Sequence, residues 1–156
     1  MQEYVLSVKV MNNAGVLPRI SSLFSRRCYS IKSLNAAETE VDKVSRLTIV
    51  VEGDLRILEQ IKSQLMKLYE VLDVQILSDA VCREHILIRA GRSTDDRQKI
   101  IEIANLYRAK PVDIAADSIM LELTGEPKKI NSFVELLKPY GIIKMVRSGI
   151  TALERD

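Results

Sequence analysis

The residues best suited to hold a small molecule stand together at Asn12-Asn13-Ala14-Gly15-Val16-Leu17-Pro18-Arg19-Ile20. They join a short alternating apolar segment to an amphipathic one. A helix starting here exposes unpaired N–H groups and the positive end of its dipole, and both suit a carboxylate. Gly15 reaches φ > 0 without a steric penalty and lets a ligand come close to the backbone. Asn12 offers a side-chain carbonyl to an ammonium and an amide to a carboxylate. Val16, Leu17 and Ile20 supply an apolar wall. Carboxylate, ammonium and apolar side chain are the three parts of a free aliphatic amino acid. The same residues also make an ordinary strand-to-helix turn with nothing bound, and local chemistry leaves both readings open.

Catalysis finds little to work with. The chain has one histidine, and its two cysteines, Cys28 and Cys82, are far apart in sequence. His85 follows Cys82 at a ligand spacing, but a structural zinc site needs four ligands and no second pair accompanies them. Two reduced thiols and a structural histidine are expected. Glu38 with Glu40, and Asp95 with Asp96, come nearest to carboxylate pairs, and both read as solvated charges on turns. No glycine-rich phosphate loop or HExxH pattern occurs. The chain is therefore expected to be non-catalytic on its own, with no catalytic or metal-binding residues.

The formal net charge is +2 with both signs interspersed, so no basic stripe points to nucleic acid. The two Phe and five Tyr include no strand pair of the kind that stacks bases. No apolar run approaches the roughly 18–20 residues that span a membrane, and Met-Gln-Glu-Tyr is not a signal-peptide start. A soluble, cytoplasmic protein without nucleic-acid or membrane partners is expected.

The elements that position the loop follow from periodicity. Leu6, Val8 and Val10 alternate with Ser7 and Lys9, the pattern of a half-buried strand. Leu17, Ile20, Leu23 and Phe24 follow at helical spacing, with Pro18 in the first turn, where a missing N–H costs nothing. Residues 29–39 read as a second strand. Leu47, Ile49 and Val51 mark a third, stopped at Gly53, after which Asp54 can cap a helix striped by Leu58, Ile61, Leu65 and Leu68. Leu72, Val74 and Ile76 form a fourth strand. The order βαββαβ is ferredoxin-like.

The order then recurs. Ile86, Ile88 and Ala90 mark a strand, Thr94 a cap, and Ile100, Ile103, Ala104 and Tyr107 a helix stripe. Val112 with Ile114, then Ile119 to Leu123, mark two more strands. Pro127 opens a helix lined by Ile130, Phe133, Val134 and Leu137, and residues 142–147 form the last strand. Leu47, Ile49, Val51, Gly53, Leu58, Ile61 and Leu65 map at a constant offset of 72 onto Ile119, Leu121, Leu123, Gly125, Ile130, Phe133 and Leu137. This internal repeat predicts an α+β chain of two ferredoxin-like βαββαβ domains, 1–77 and 82–156, joined by a linker at 78–81. At 156 residues each half is close to the lower limit for an independent core, and a single-layer sheet leaves a face and an edge exposed. A homo-oligomer formed by edge pairing is expected. In the second copy, Asp95 and Asp96 near the helix start would repel a carboxylate, so no equivalent site is expected there.

Several runs carry a family resemblance. Asn12-x-x-Gly15-x-Leu17-x-Arg19-Ile20, Leu23-Phe24-Ser25-x-Arg27-x-Tyr29-x-Ile31-x-Ser33-Leu34 and Ser45-Arg46-Leu47-Thr48-Ile49-Val50 resemble the regulatory (small) subunit of acetolactate synthase, also called acetohydroxyacid synthase. The likeness continues through Arg83-Glu84 and Phe133-x-x-Leu136-Leu137 to Arg147-Ser148-Gly149. The resemblance implies that the first half is an effector-binding ACT domain that pairs edge to edge with a second copy. It implies valine as the effector, held by Asn12, Ala14, Gly15, Val16, Leu17 and Pro18 of one chain and by Ser30 and Ile31 of its neighbour. It further implies binding to the catalytic (large) subunit, raised activity there, and valine feedback inhibition in branched-chain amino acid and isoleucine biosynthesis. Thiamine diphosphate, Mg²⁺ and FAD would belong to that catalytic subunit, with no cofactor bound by this chain. A stand-alone ACT-type regulator of another enzyme or of transcription is the alternative. The family's usual Arg-Gly-Tyr-Asn-Ile is Arg27-Cys28-Tyr29-Ser30-Ile31 here: Ser30 is shorter than asparagine, and Cys28 replaces a glycine.

Overall fold

The computed structural model describes residues 2–155. They divide into two compact units, residues 2–81 with 150–155, and Cys82–Gly149.

The first unit contains β1 (Gln2–Met11), α1 (Val16–Arg26), β2 (Ile31–Glu38), β3 (Val44–Gly53), α2 (Leu55–Leu65) and β4 (Val71–Leu77). Its sheet order is β2-β3-β1-β4, with every neighbouring pair antiparallel. This is the ferredoxin-like βαββαβ arrangement that the periodicity predicts. The alternation sets one face of the sheet: Leu6, Val8 and Val10 of β1 and Leu47, Ile49 and Val51 of β3 are buried with Ile20, Leu23 and Phe24 of α1 and Leu58, Ile61 and Leu65 of α2. Asp54 caps α2 as expected, its Oδ1 accepting from the Ile57 N–H at 2.8 Å. The strand edges of the sheet are β2 and β4.

The second unit repeats the order with β5 (Ala80–Ala90), α3 (Asp96–Tyr107), β6 (Lys110–Ile114), β7 (Ile119–Gly125), α4 (Pro127–Leu137) and β8 (Ile142–Arg147). Its sheet runs β6-β7-β5-β8. The offset of 72 holds at element level: α2 and α4 are both 11 residues long and begin and end at matched positions, and β3 and β7 both end on the matched glycines Gly53 and Gly125. Ile86, Ile88, Leu121, Phe133 and Leu137 lie at the centre of this second core.

Three expectations need correcting. A final strand β9 (Thr151–Glu154) follows β8, pairs with β5, and groups with the first unit, so the second unit ends at Gly149 and not at the end of the chain. Ser7, Thr48 and Val50 are buried on the back face of the first sheet, and Thr48 lines a small pocket with Thr151 and Ala152 of β9. Thr94 does not cap α3. The helix begins at Asp96, whose carboxylate turns back to accept from the Arg92 N–H at 3.3 Å and the Ser93 hydroxyl at 3.4 Å. Of the expected linker, only Ser78 and Asp79 lie between strands, because β5 already begins at Ala80.

Candidate functional site

The Asn12–Ile20 stretch forms the β1–α1 turn. Its entry is fixed by the backbone: the Met11 N–H donates to Glu70 O at 2.8 Å and the Asn12 N–H to Lys43 O at 2.8 Å. Gly15 stands at the head of α1 with φ 90°, a left-handed conformation that glycine reaches freely. A Cβ built there meets nothing within 4 Å, so the loop is open on the side glycine faces. Pro18 occupies the first turn of α1. Among the described residues, the N–H groups of Ala14, Gly15 and Leu17 have no hydrogen-bond partner. An ion pair between Arg19 and Glu70 ties the first turns of the helix to the segment before β4.

This turn forms one wall of an open cleft of about 430 Å³. Asn12, Ala14, Gly15, Val16, Leu17 and Pro18 all line it, and the opposite wall is Ala36, Ala37 and Glu38 of β2 with Leu47 of β3 behind. The volume lies in the range of small-molecule sites. Ile20, expected in the apolar wall, is instead buried in the core. Val16 is buried too but reaches the cleft floor, while Leu17 is exposed at its rim. Ser30 and Ile31 do not line this cleft within one chain. Ile31 pairs with Val51 at one end of β2, whereas Ala36 and Glu38 pair with Leu47 and Ser45 towards the other.

The lining residues of β2 and β3, Ala36, Ala37, Glu38, Ser45 and Leu47, escaped the sequence reading. Glu38 faces the cleft and accepts from the Asn12 amide, Nδ2 to Oε1, at 3.3 Å. The signal was strand parity: with β2 continuing through residue 38, Glu38 shares the face of Ala36, which packs towards Leu47.

The corresponding turn of the second unit is closed. Gly91 (φ 132°) packs so tightly that a Cβ would meet Asp117 O at 2.5 Å. The Asp96 carboxylate already holds the Arg92 N–H, which occupies the helix start with an internal anion. His85 Nδ1 shares a hydrogen bond with Thr124 Oγ1 at 3.0 Å. Both cysteines are free thiols. Among the described residues no three His, Cys, Asp or Glu side chains gather to hold a metal ion, and no helix is long and apolar enough to cross a membrane.

An antiparallel βαββαβ sheet with an open cleft at its β1–α1 turn, bounded by an edge strand, defines a regulatory domain of the ACT class. Known proteins narrow this further. Residues 6–73 match the AHAS small subunit-like ACT domain, and residues 83–156 match the small subunit of acetolactate synthase. The acetolactate synthase small subunit of Mycolicibacterium smegmatis is 43% identical, over 97% of this chain and 91% of its own length. That of Bacillus subtilis is 41% identical, over 97% of this chain and 90% of its own. The crystal structure of the small subunit from Thermotoga maritima superposes with a TM-score of 0.91 at 33% identity, covering 99% of this chain and 98% of that one. The chain belongs to the family of acetolactate synthase small subunits, the regulatory subunits of that enzyme.

Proposed function

We propose that this chain binds the catalytic (large) subunit of acetolactate synthase, raises its activity and makes it sensitive to valine. The thiamine diphosphate, Mg²⁺ and FAD of the reaction reside on that catalytic subunit, and this chain performs no turnover. The β1–α1 cleft is the valine site. What carries the reading is the open, N–H-rich turn facing an unpaired edge strand, in a chain whose family is a regulatory subunit.

The cleft is completed by a second copy. Two β2 strands pairing antiparallel about a two-fold axis at Asn35 set Leu34 opposite Ala36 and, through the bulge between Ile31 and Ser33, bring Ile31 of one copy opposite Glu38 of the other. Ser30 and Ile31 then close the cleft from across the dimer. The valine carboxylate meets the free N–H groups of the turn, and its side chain rests on Val16, Leu17 and Ala36. A ligand bridging two chains favours the dimer arrangement that holds it best. It shifts catalysis only by its difference in affinity between arrangements.

Calorimetric titration of the purified chain with valine, leucine, isoleucine and an unrelated polar amino acid tests the site, beside the Asn12→Ala variant. Saturable valine binding that the variant loses is expected. Reconstitution with the catalytic subunit, with acetolactate formation followed as valine is added, tests the regulatory role. An unchanged rate with and without this chain would overturn it.

A further inference from the structure

Among the described residues, Glu38 is the only ionisable side chain that lines the cleft. Its Oε1 accepts from Asn12 Nδ2 at 3.3 Å, and among the described residues no Lys or Arg pairs with it. The cleft thus presents two opposed polar features. The β1–α1 turn offers backbone N–H donors without acceptors, and β2 offers an anion without a cation. A zwitterion answers both at once. An anion lacking an ammonium answers only the first and is repelled by the second.

We infer that Glu38 is the residue that selects for the effector's ammonium group, with Asn12 as the positioning residue that holds its carboxylate towards the cleft. This rests on the reading of the cleft as an amino-acid site and deepens it. The α-carboxylate lies at the turn and the ammonium points to β2, where Glu38 Oε2 accepts a charge-assisted hydrogen bond. The ligand class is therefore the α-amino acid. A 2-oxo acid with the same carbon skeleton has the same carboxylate and apolar group, but brings a carbonyl oxygen to the Glu38 carboxylate. A cleft built this way separates an amino acid from a 2-oxo acid of the same carbon skeleton by charge alone.

The test is calorimetric titration of the full chain, alone and with the catalytic subunit, using valine and 3-methyl-2-oxobutanoate, for wild type and Glu38→Gln. Wild type is expected to prefer valine. Glutamine keeps the shape but lacks the charge, so the variant is expected to bind valine about 10- to 100-fold more weakly and the 2-oxo acid as well as before or better. A structural role would weaken both ligands together and leave their ratio unchanged. Glu38 is exposed on an edge strand, so an unfolding midpoint unchanged by the substitution is expected and confirms that the fold is intact. If wild type prefers valine and the variant keeps the same preference, the role of Glu38 is overturned while the effector site stands. If wild type binds neither ligand in either setting, the effector reading falls and this inference with it.

Discussion

Asn35 Nδ2 donates to Thr151 Oγ1 at 2.8 Å, joining β2 to the C-terminal strand. Beside it the Ile150 N–H donates to Ser33 Oγ at 3.2 Å, Arg46 pairs with Glu154 at 3.5 Å, and Arg155 with Asp79 at 3.1 Å. Ser33, Asn35 and Arg46 all sit on the back face of the first sheet, opposite the helices. β2 therefore carries the C-terminal strand on one face and the β1–α1 cleft on the other.

Removing residues 150–156 is expected to destabilise the first unit. Besides the β9–β5 pairing and two ion pairs, the deletion strips the Asn35–Thr151 and Ile150–Ser33 hydrogen bonds and a buried Ala152, and opens Thr48 to water. A net hydrogen bond contributes about 0.5–1.5 kcal/mol, so the loss should come to about 2 kcal/mol. For a unit of this size that lowers the midpoint by roughly 8–16 °C. Thermal unfolding of the truncated chain measures it, and Thr151→Ala alone should cost about 1 kcal/mol. A truncation that leaves the midpoint in place would show that the strand only rests on the sheet.

Much of this fold was legible because its rules are local. The period-2 alternation of Leu6, Val8 and Val10 named the core face of β1, and the offset of 72 placed α4 from α2 to the residue. The loop residues of the cleft were legible for the same reason, since glycine, asparagine and the helix start are neighbours in sequence. Glu38 and the C-terminal strand were not. Glu38 reaches Asn12 across 26 positions, and Asn35 reaches Thr151 across 116, through strand pairing that no window of sequence contains. Charges near a turn read as solvated until the register shows which face they occupy.

Gly15 separates strain from charge. Alanine there meets nothing within 4 Å and adds only the cost of a left-handed residue, about 1–2 kcal/mol. Gly15→Ala should therefore lower stability by that amount and keep measurable valine binding. Gly15→Asp carries the same backbone cost and sets a carboxylate where the ligand carboxylate lies. It is expected to weaken valine binding by at least about tenfold more than alanine does, with a similar melting temperature. Equal affinities in the two variants would move the ligand carboxylate away from this turn.

Cys28 closes α1 in the left-handed conformation at φ 55°, with its N–H donating to Ser25 O at 3.2 Å and that of Tyr29 to Phe24 O at 3.1 Å. Glycine is the usual residue at such a helix end. Cys28→Gly relieves about 1–2 kcal/mol of backbone cost and gives back roughly 0.5–1 kcal/mol through the freer unfolded chain. A net gain of about 0.5–1 kcal/mol is expected in denaturant unfolding. The two thiols should also differ towards iodoacetamide. Cys28 is exposed, whereas burial pushes the Cys82 thiol above its ordinary range, so less of it is thiolate at neutral pH. Mass spectrometry after brief alkylation should find Cys28 labelled first, with Cys82 catching up as pH is raised.

Among the described residues, Glu84 and Arg147 form the most enclosed ion pair of the second unit. Arg147 Nε donates to Oε1 at 2.8 Å and Nη2 to Oε2 at 2.5 Å, a bidentate fork on a carboxylate that is 5% exposed. The pair joins the start of β5 to the end of β8. Removing the acid takes away the carboxylate that two of the guanidinium nitrogens reach, and one-sided removal from a buried pair costs about 3–5 kcal/mol. The Arg147 side chain is 33% exposed and can turn partly to water, which places Glu84→Ala at the lower end, about 2–3 kcal/mol. Glu84→Gln keeps the shape and one acceptor and should cost less. Both should leave the first-unit transition and valine affinity unchanged, because the cleft lies wholly within the other unit. Unfolding curves with calorimetric titration of the same samples check this. Loss of valine binding in Glu84→Ala at a temperature where the first unit stays folded would mean that the effector cleft depends on the second unit.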